Sequence, residues 1–238
     1  MTRHWYYFMK SYFVTATDTG VGKTAITASL AACMKKRGID VGVMKPIATG
    51  IPQKSGFRSS DVSFLVESSG VKDSEDMVNP IFLPLPVSPY DACKNLGLTI
   101  NLDIIKEKFE NLRKSHELVL VEGIGGILTP ITESLFVADV IKMLGLETII
   151  VTRSTLGTLN HTMLTVNACK QYGISIKGII INCHDAKGGP EEKNAPSTIY
   201  ELSKIPILGV VPFIKDYQKI EMMNESVEKN VDFNSLLS

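Results

Sequence analysis

The run Gly20-Val21-Gly22-Lys23-Thr24-Ala25 combines residue types suited to holding a polyphosphate. Gly22 lets the backbone come close to an anion. The first amide groups of the helix that follows have no internal partners and point toward it. Lys23 adds a mobile positive charge for a phosphate chain, and the Thr24 hydroxyl can ligate Mg2+. The common spacing places glycine five positions before Gly22. That position is Thr17 here, and the small residue Ala16 stands one step earlier. This is a variant loop with five residues between Ala16 and Gly22.

Other residues with chemical potential fall just after apolar runs. Glu122 closes the run LVLV and opens Glu122-Gly123-Ile124-Gly125-Gly126. A carboxylate at a strand end beside a phosphate loop is where an acid binds Mg2+, directly or through water, and the glycines free the backbone to approach a ligand. Lys45 ends the second apolar run, where it either points toward the phosphates or is an ordinary surface lysine. Thr49 lies in the next loop and by itself reads as a structural turn residue. Asp61 is placed either as a helix-opening acid or, with Thr24 and Glu122, as part of an oxygen shell for Mg2+. Gly157 to His161 open a helix that can receive a carboxylate, although Thr158 and Asn160 are equally readable as caps. Asn182 offers a donor and an acceptor suited to a purine edge, or serves as a turn residue.

The elements that position these residues alternate between strand and helix. Apolar strands are expected at 11–16, 40–46, 117–121, 147–152, 176–181 and 207–211. Helices are expected at 23–37, from about 60, and at 101–114, 137–144, 158–172 and from 197. The loop 47–60 is rich in glycine, proline and serine, the segment 78–89 is proline-rich and reads as irregular, and 185–196 reads as a polar loop. The tail after residue 215 gives no clear element. Short continuous apolar strands alternating with helices predict an α/β fold, a single doubly wound domain with a mostly parallel sheet flanked by helices. Ligands in such sheets sit at the carboxyl ends of the strands, where all the residues above converge. Residues 1–10 read as an extension and 11–238 as the domain.

The chain has 238 residues, with 25 Lys plus Arg balancing 25 Asp plus Glu. Zero net charge gives no electrostatic case for nucleic acid or an anionic membrane. No apolar run approaches the roughly 20 residues of a membrane helix. The N-terminal run shows neither an apolar signal core nor a cleavage site. The cysteines Cys33, Cys93, Cys169 and Cys183 form no C-x-x-C pair. Reduced thiols in a cytoplasmic protein are the expectation.

Taken in order, TDTGVGKT, MKPIATG, SSD before a helix, VNP, VEGIGG, GTLNHT and IIN resemble the dethiobiotin synthetase family, from about Ser11 to about Phe213. That family has the P-loop NTPase fold and the same long phosphate loop. The resemblance implies ATP-dependent carboxylation of 7,8-diaminononanoate by CO2 or bicarbonate, and closure of a cyclic urea. It implies that Lys45 bridges carbamate and γ-phosphate, that Lys23 holds the phosphates, and that Thr24, Asp61 and Glu122 ligate Mg2+. It assigns Gly20 to Ala25 to the triphosphate and Thr49 to the diamine or carbamate. It assigns Asn182 to adenine, with Pro212 and Phe213 lining the base pocket. It further implies a homodimer in which Gly157, Thr158 and Asn160 meet the substrate carboxylate in the partner's site. Partition-type ATPase switches share the loop but carry a second lysine at its start, which the stretch from Ala16 to Gly20 lacks.

Overall fold

The computed structural model describes residues 10–214 and 219–238. Six parallel strands form the main sheet in the order β2 (Val41–Met44), β5 (Leu118–Glu122), β1 (Lys10–Ala16), β6 (Glu147–Thr152), β7 (Ile176–His184), β8 (Ile207–Pro212). A small second sheet pairs β3 (Ile47–Thr49) with β4 (Ile81–Leu83), also in parallel. The α/β, doubly wound expectation holds. Apart from Lys10, which belongs to β1, the expected extension lies outside the described residues.

Alternation along each strand sends side chains to two separate cores. Tyr12, Val14 and Ala16 of β1 join the core covered by α1 (Lys23–Lys36), α2 (Ser60–Ser69), α9 (Ile220–Asn230) and α10 (Phe233–Leu237). Phe13 joins the opposite core, covered by α4 (Pro89–Leu96), α5 (Leu102–Ser115), α6 (Val137–Leu144), α7 (Thr158–Tyr172) and α8 (Pro190–Ser203). The short helix α3 (Glu75–Val78) leads into β4. Among the described residues, no helix is long and apolar enough to cross a membrane.

Several elements depart from expectation for local reasons. The 47–60 loop contains β3, and the 78–89 segment contains β4; each is three residues long, too short to show a period. Helix α4 begins inside the proline-rich segment: Ser88 accepts from Asp91 N and Pro89 occupies the first turn, where its missing N–H costs nothing. Helix α8 absorbs part of the expected 185–196 loop. Pro190 opens it, Glu191 and Glu192 occupy its first turn, and Ala195 and Ile199 are buried on the sheet. That burial keeps the helix running through Pro196. In the tail, Met223 and Val227 lie one helical turn apart and seal the α1 face.

Strand β7 also runs further than expected. Asn182 lies within it rather than after it, and Cys183 adopts φ 56°, an uncommon conformation outside glycine. Strand register then decides what meets at the carboxyl edge. Val14 pairs with Glu122 and Ala16 with Val151. The residues that follow β1, β5 and β6 therefore emerge side by side.

Candidate active site

A cavity of about 1130 Å³ opens at this edge. The phosphate loop forms its floor. Gly20 and Gly22 have φ 74° and 92°, conformations that side-chain-bearing residues rarely adopt. A Cβ on Gly22 would stand 2.1 Å from Asn182 Nδ2, so glycine is required both by torsion and by contact. Asn182 in turn donates to Val21 O at 2.9 Å, pinning the loop against β7.

Lys45 is at the centre of the charged groups. It leaves β2 with its ammonium 2.8 Å from Asp61 Oδ2 and 2.8 Å from Glu122 Oε1. The Thr24 hydroxyl donates to the same Glu122 oxygen at 2.7 Å. Lys45 and Glu122 are buried, whereas Asp61 is more than half exposed. Burial opposes the Lys45 charge, but Glu122 and Asp61 outweigh it and raise its pKa. Burial likewise opposes ionisation of Asp61, and Lys45 reverses the balance to lower its pKa. For Lys23 desolvation dominates and brings its pKa down to about 8. Its ammonium lies 3.4 Å from Gly125 O.

The remaining Glu122 oxygen, Oε2, is buried with no hydrogen-bond partner among the described residues. Mg2+ takes oxygen donors and is held by few protein groups plus phosphates and waters. A hydroxyl, a buried carboxylate with an unpartnered oxygen and a half-exposed aspartate form such a donor set. The residues fit that ion.

Gly20, Gly22, Lys23, Thr24, Ala25, Lys45, Thr49 and Asp61 line the cavity, as do Ile124, Gly125, Asn182, Pro212 and Phe213. Glu122 lies beneath it and is reached through Thr24 and Lys45. Val21 and Gly123 are not part of the cavity lining. Val21 is buried and offers its carbonyl to Asn182, and a Cβ on Gly123 would meet the Phe13 ring at 2.7 Å, so that glycine serves packing. Gly157, Thr158 and Asn160 stand outside this cavity. The Thr158 hydroxyl turns inward to Arg153 O at 2.6 Å, while Asn160 is exposed.

Two residues carry more of the site than sequence reasoning assigned them. Asn79 is fully buried, and its amide donates to Lys45 O at 2.7 Å and Ile81 O at 3.1 Å. The backbone N of Lys45 donates to Val78 O at 2.7 Å. Asn79 thus fixes the backbone from which the catalytic candidate projects. Its signal was the VNP motif, noted without a role. Arg153 lines the cavity from the end of β6 and had no motif to mark it.

Comparison with known proteins decides the family. Residues 10–221 match the family described as "AAA domain". An ATP-dependent dethiobiotin synthetase BioD from Nitrosopumilus maritimus (strain SCM1) is 48% identical over 229 residues, covering 96% of this chain and 100% of that one. The chain belongs to the dethiobiotin synthetase family. A second member, the ATP-dependent dethiobiotin synthetase BioD from Thermodesulfovibrio yellowstonii, is 40% identical over 236 residues, covering 95% of this chain and 98% of its own. Among solved structures, a ParA family ATPase from Chlorobium tepidum superposes with TM-score 0.55 at 18% identity, covering 93% of this chain and 92% of that one. At that identity the likeness concerns the fold, the same parallel sheet on which this synthetase family is built.

Proposed function

We propose that the chain converts 7,8-diaminononanoate, CO2 and ATP into dethiobiotin, ADP and phosphate. The observation that carries this reading is Lys45: a buried ammonium held by two carboxylates at the rim of a phosphate loop, within a chain matched over nearly its full length by dethiobiotin synthetases. One amine of the diamine attacks CO2 and loses a proton, giving a carbamate. The carbamate oxygen attacks the γ-phosphorus, the bond to ADP breaks, and a carbamic-phosphoric anhydride forms. The second amine attacks the carbamoyl carbon, loses a proton, expels phosphate and closes the five-membered cyclic urea.

The chain's residues act mainly by positioning and charge stabilisation, as phosphoryl transfer requires. Lys45, fixed by Asn79, Asp61 and Glu122, places its charge where carbamate and γ-phosphate meet. Lys23 and the amides of Gly20 to Ala25 hold the phosphates. Thr49 faces the diamine or carbamate. Asn182, Pro212 and Phe213 receive the adenine. Thr24, Asp61 and Glu122 would hold Mg2+, which when bound neutralises phosphate charge.

We assign the substrate carboxylate to the N-terminus of α7 from a second copy of the chain. Support comes from Leu156, Leu159 and Leu164, exposed at 86%, 37% and 60% around the start of α7 and available for burial by a partner. The four cysteines are free thiols, which supports a reducing, cytoplasmic setting.

The test is phosphate release from MgATP with 7,8-diaminononanoate, with and without bicarbonate. Release that needs both, with equimolar dethiobiotin, is expected. Release indifferent to the diamine overturns the reading. Gel filtration under assay conditions should give a dimer, and an active monomer would remove the two-chain site.

A further inference from the structure

Arg153 leaves the end of β6, the strand beside β1, and so stands next to the phosphate loop. Its backbone is anchored: the Thr158 hydroxyl donates to Arg153 O, and Thr158 belongs to a buried hydroxyl cluster with Thr152 and Thr162. From that anchored base the guanidinium reaches Gly20, donating from Nη2 to its carbonyl at the crest of the loop. The side chain is exposed to the cavity and makes no ion pair among the described residues. The two other cations of the cavity are committed differently. Lys45 is engaged by Asp61 and Glu122, and Lys23 lies deep, toward Gly125. Arg153 is therefore an exposed cation with no carboxylate partner among the described residues, placed on the outer side of the loop. A guanidinium has five donors in a planar fork suited to phosphate oxygens, and a single carbonyl uses only part of it.

We infer that Arg153 is a nucleotide-contacting residue, a third cation that grips the phosphate chain at the outer edge of the loop, away from the transferred phosphoryl group. The inference rests on the nucleotide site proposed above. The Gly20 carbonyl is its resting partner, and an incoming phosphate is the stronger one because donor and acceptor are then both charged and the planar fork can bind two oxygens at once.

The test measures binding rather than turnover, by calorimetry of ATP, ADP, tripolyphosphate and adenosine with the native chain, Arg153→Ala and Arg153→Lys. Arg153→Gln replaces the alanine variant should that one fail to fold. Loss of the guanidinium should weaken ATP, ADP and tripolyphosphate about tenfold each, leave adenosine unchanged and flatten the salt dependence of ADP binding. Lysine should restore part of the affinity by charge alone. Phosphate-bearing ligands that bind within about twofold of the native value would overturn the proposal. So would adenosine weakening in step with ADP, since that marks a mere brace for the loop. A native chain that binds no adenine nucleotide would instead overturn the function itself.

Discussion

Lys45 Nζ and Glu122 Oε1 lie 2.8 Å apart with both side chains closed to solvent, and the Thr24 hydroxyl shares the same oxygen. This pair joins the two halves of the site. Replacing Lys45 with methionine keeps the bulk and removes the charge. Turnover should fall by roughly 10² to 10³ or more, the usual scale for a lost charge-stabilising group, while nucleotide affinity changes far less. Steady-state kinetics with a parallel binding titration checks this, and near-native turnover would remove Lys45 from catalysis.

Glu122→Gln keeps the shape but halves the acceptor capacity at the buried position. The Mg2+ concentration giving half-maximal activity should rise, because the unpartnered Oε2 is the oxygen best placed to serve the ion. A metal titration of native and variant chains reads this out. Identical curves would contradict ligation by Glu122.

Asn79 does not itself line the cavity, yet it holds the carbonyl of Lys45, which does. Asn79→Ala should lower kcat on the order of 10²-fold, as misplacement of a catalytic group does, with little change in KM for ATP. Asn79→Asp, which keeps an acceptor but loses the donors, should not rescue it. A rise in KM alone would mean that Asn79 supports something other than Lys45.

Gly22 has no room for a methyl group. Gly22→Ala places Cβ 2.1 Å from Asn182 Nδ2 at φ 92°, so nucleotide binding should be lost and stability reduced by about 1–3 kcal/mol. The double variant with Asn182→Gly relieves the contact but not the torsion, and should recover stability only in part. Full recovery in thermal melts would show that the contact alone sets the requirement.

At the opposite edge of the sheet, His116 meets Asp40 at 3.0 Å and Asp73 at 3.2 Å. Burial opposes its charge, but the two carboxylates prevail and raise its pKa. A pKa raised on folding stabilises the native state below the unfolded value of about 6.5 and loses that contribution as pH rises through the folded value. Native stability should therefore drop across that window, and His116→Gln should flatten the drop. Denaturant melts at several pH values decide it, and parallel curves would deny His116 the role.

Much of this site could be read from sequence because its chemistry is local. Gly20 to Ala25 and Glu122 declare themselves by residue type directly after apolar strands, and the parallel topology brings them together. What escaped has long-range causes. The contact of Arg153 with the loop depends on β6 lying beside β1, a neighbour relation that the residues around Arg153 do not encode. The role of Asn79 depends on a backbone carbonyl 34 positions away. Helix α9 was spaced for burial, with Met223 and Val227, but sits in a polar tail whose apolar stripe is only one residue wide per turn. Helix α8 starts within a stretch whose polarity reads as a loop, and only the buried Ala195 and Ile199 explain why it persists through Pro196.

The strand order divides labour along the edge. The loop after β1, Arg153 beyond β6, Asn182 in β7 and Phe213 past β8 form one contiguous arc of the cavity, the side proposed for the nucleotide. Lys45, Thr49, Asp61 and the wall from Pro86 to Pro89 come from the other flank, off β2 and the small β3–β4 sheet. Changes at Thr49 or in the wall from Pro86 to Pro89 therefore reshape one flank of the cavity while leaving every strand of the opposite arc untouched.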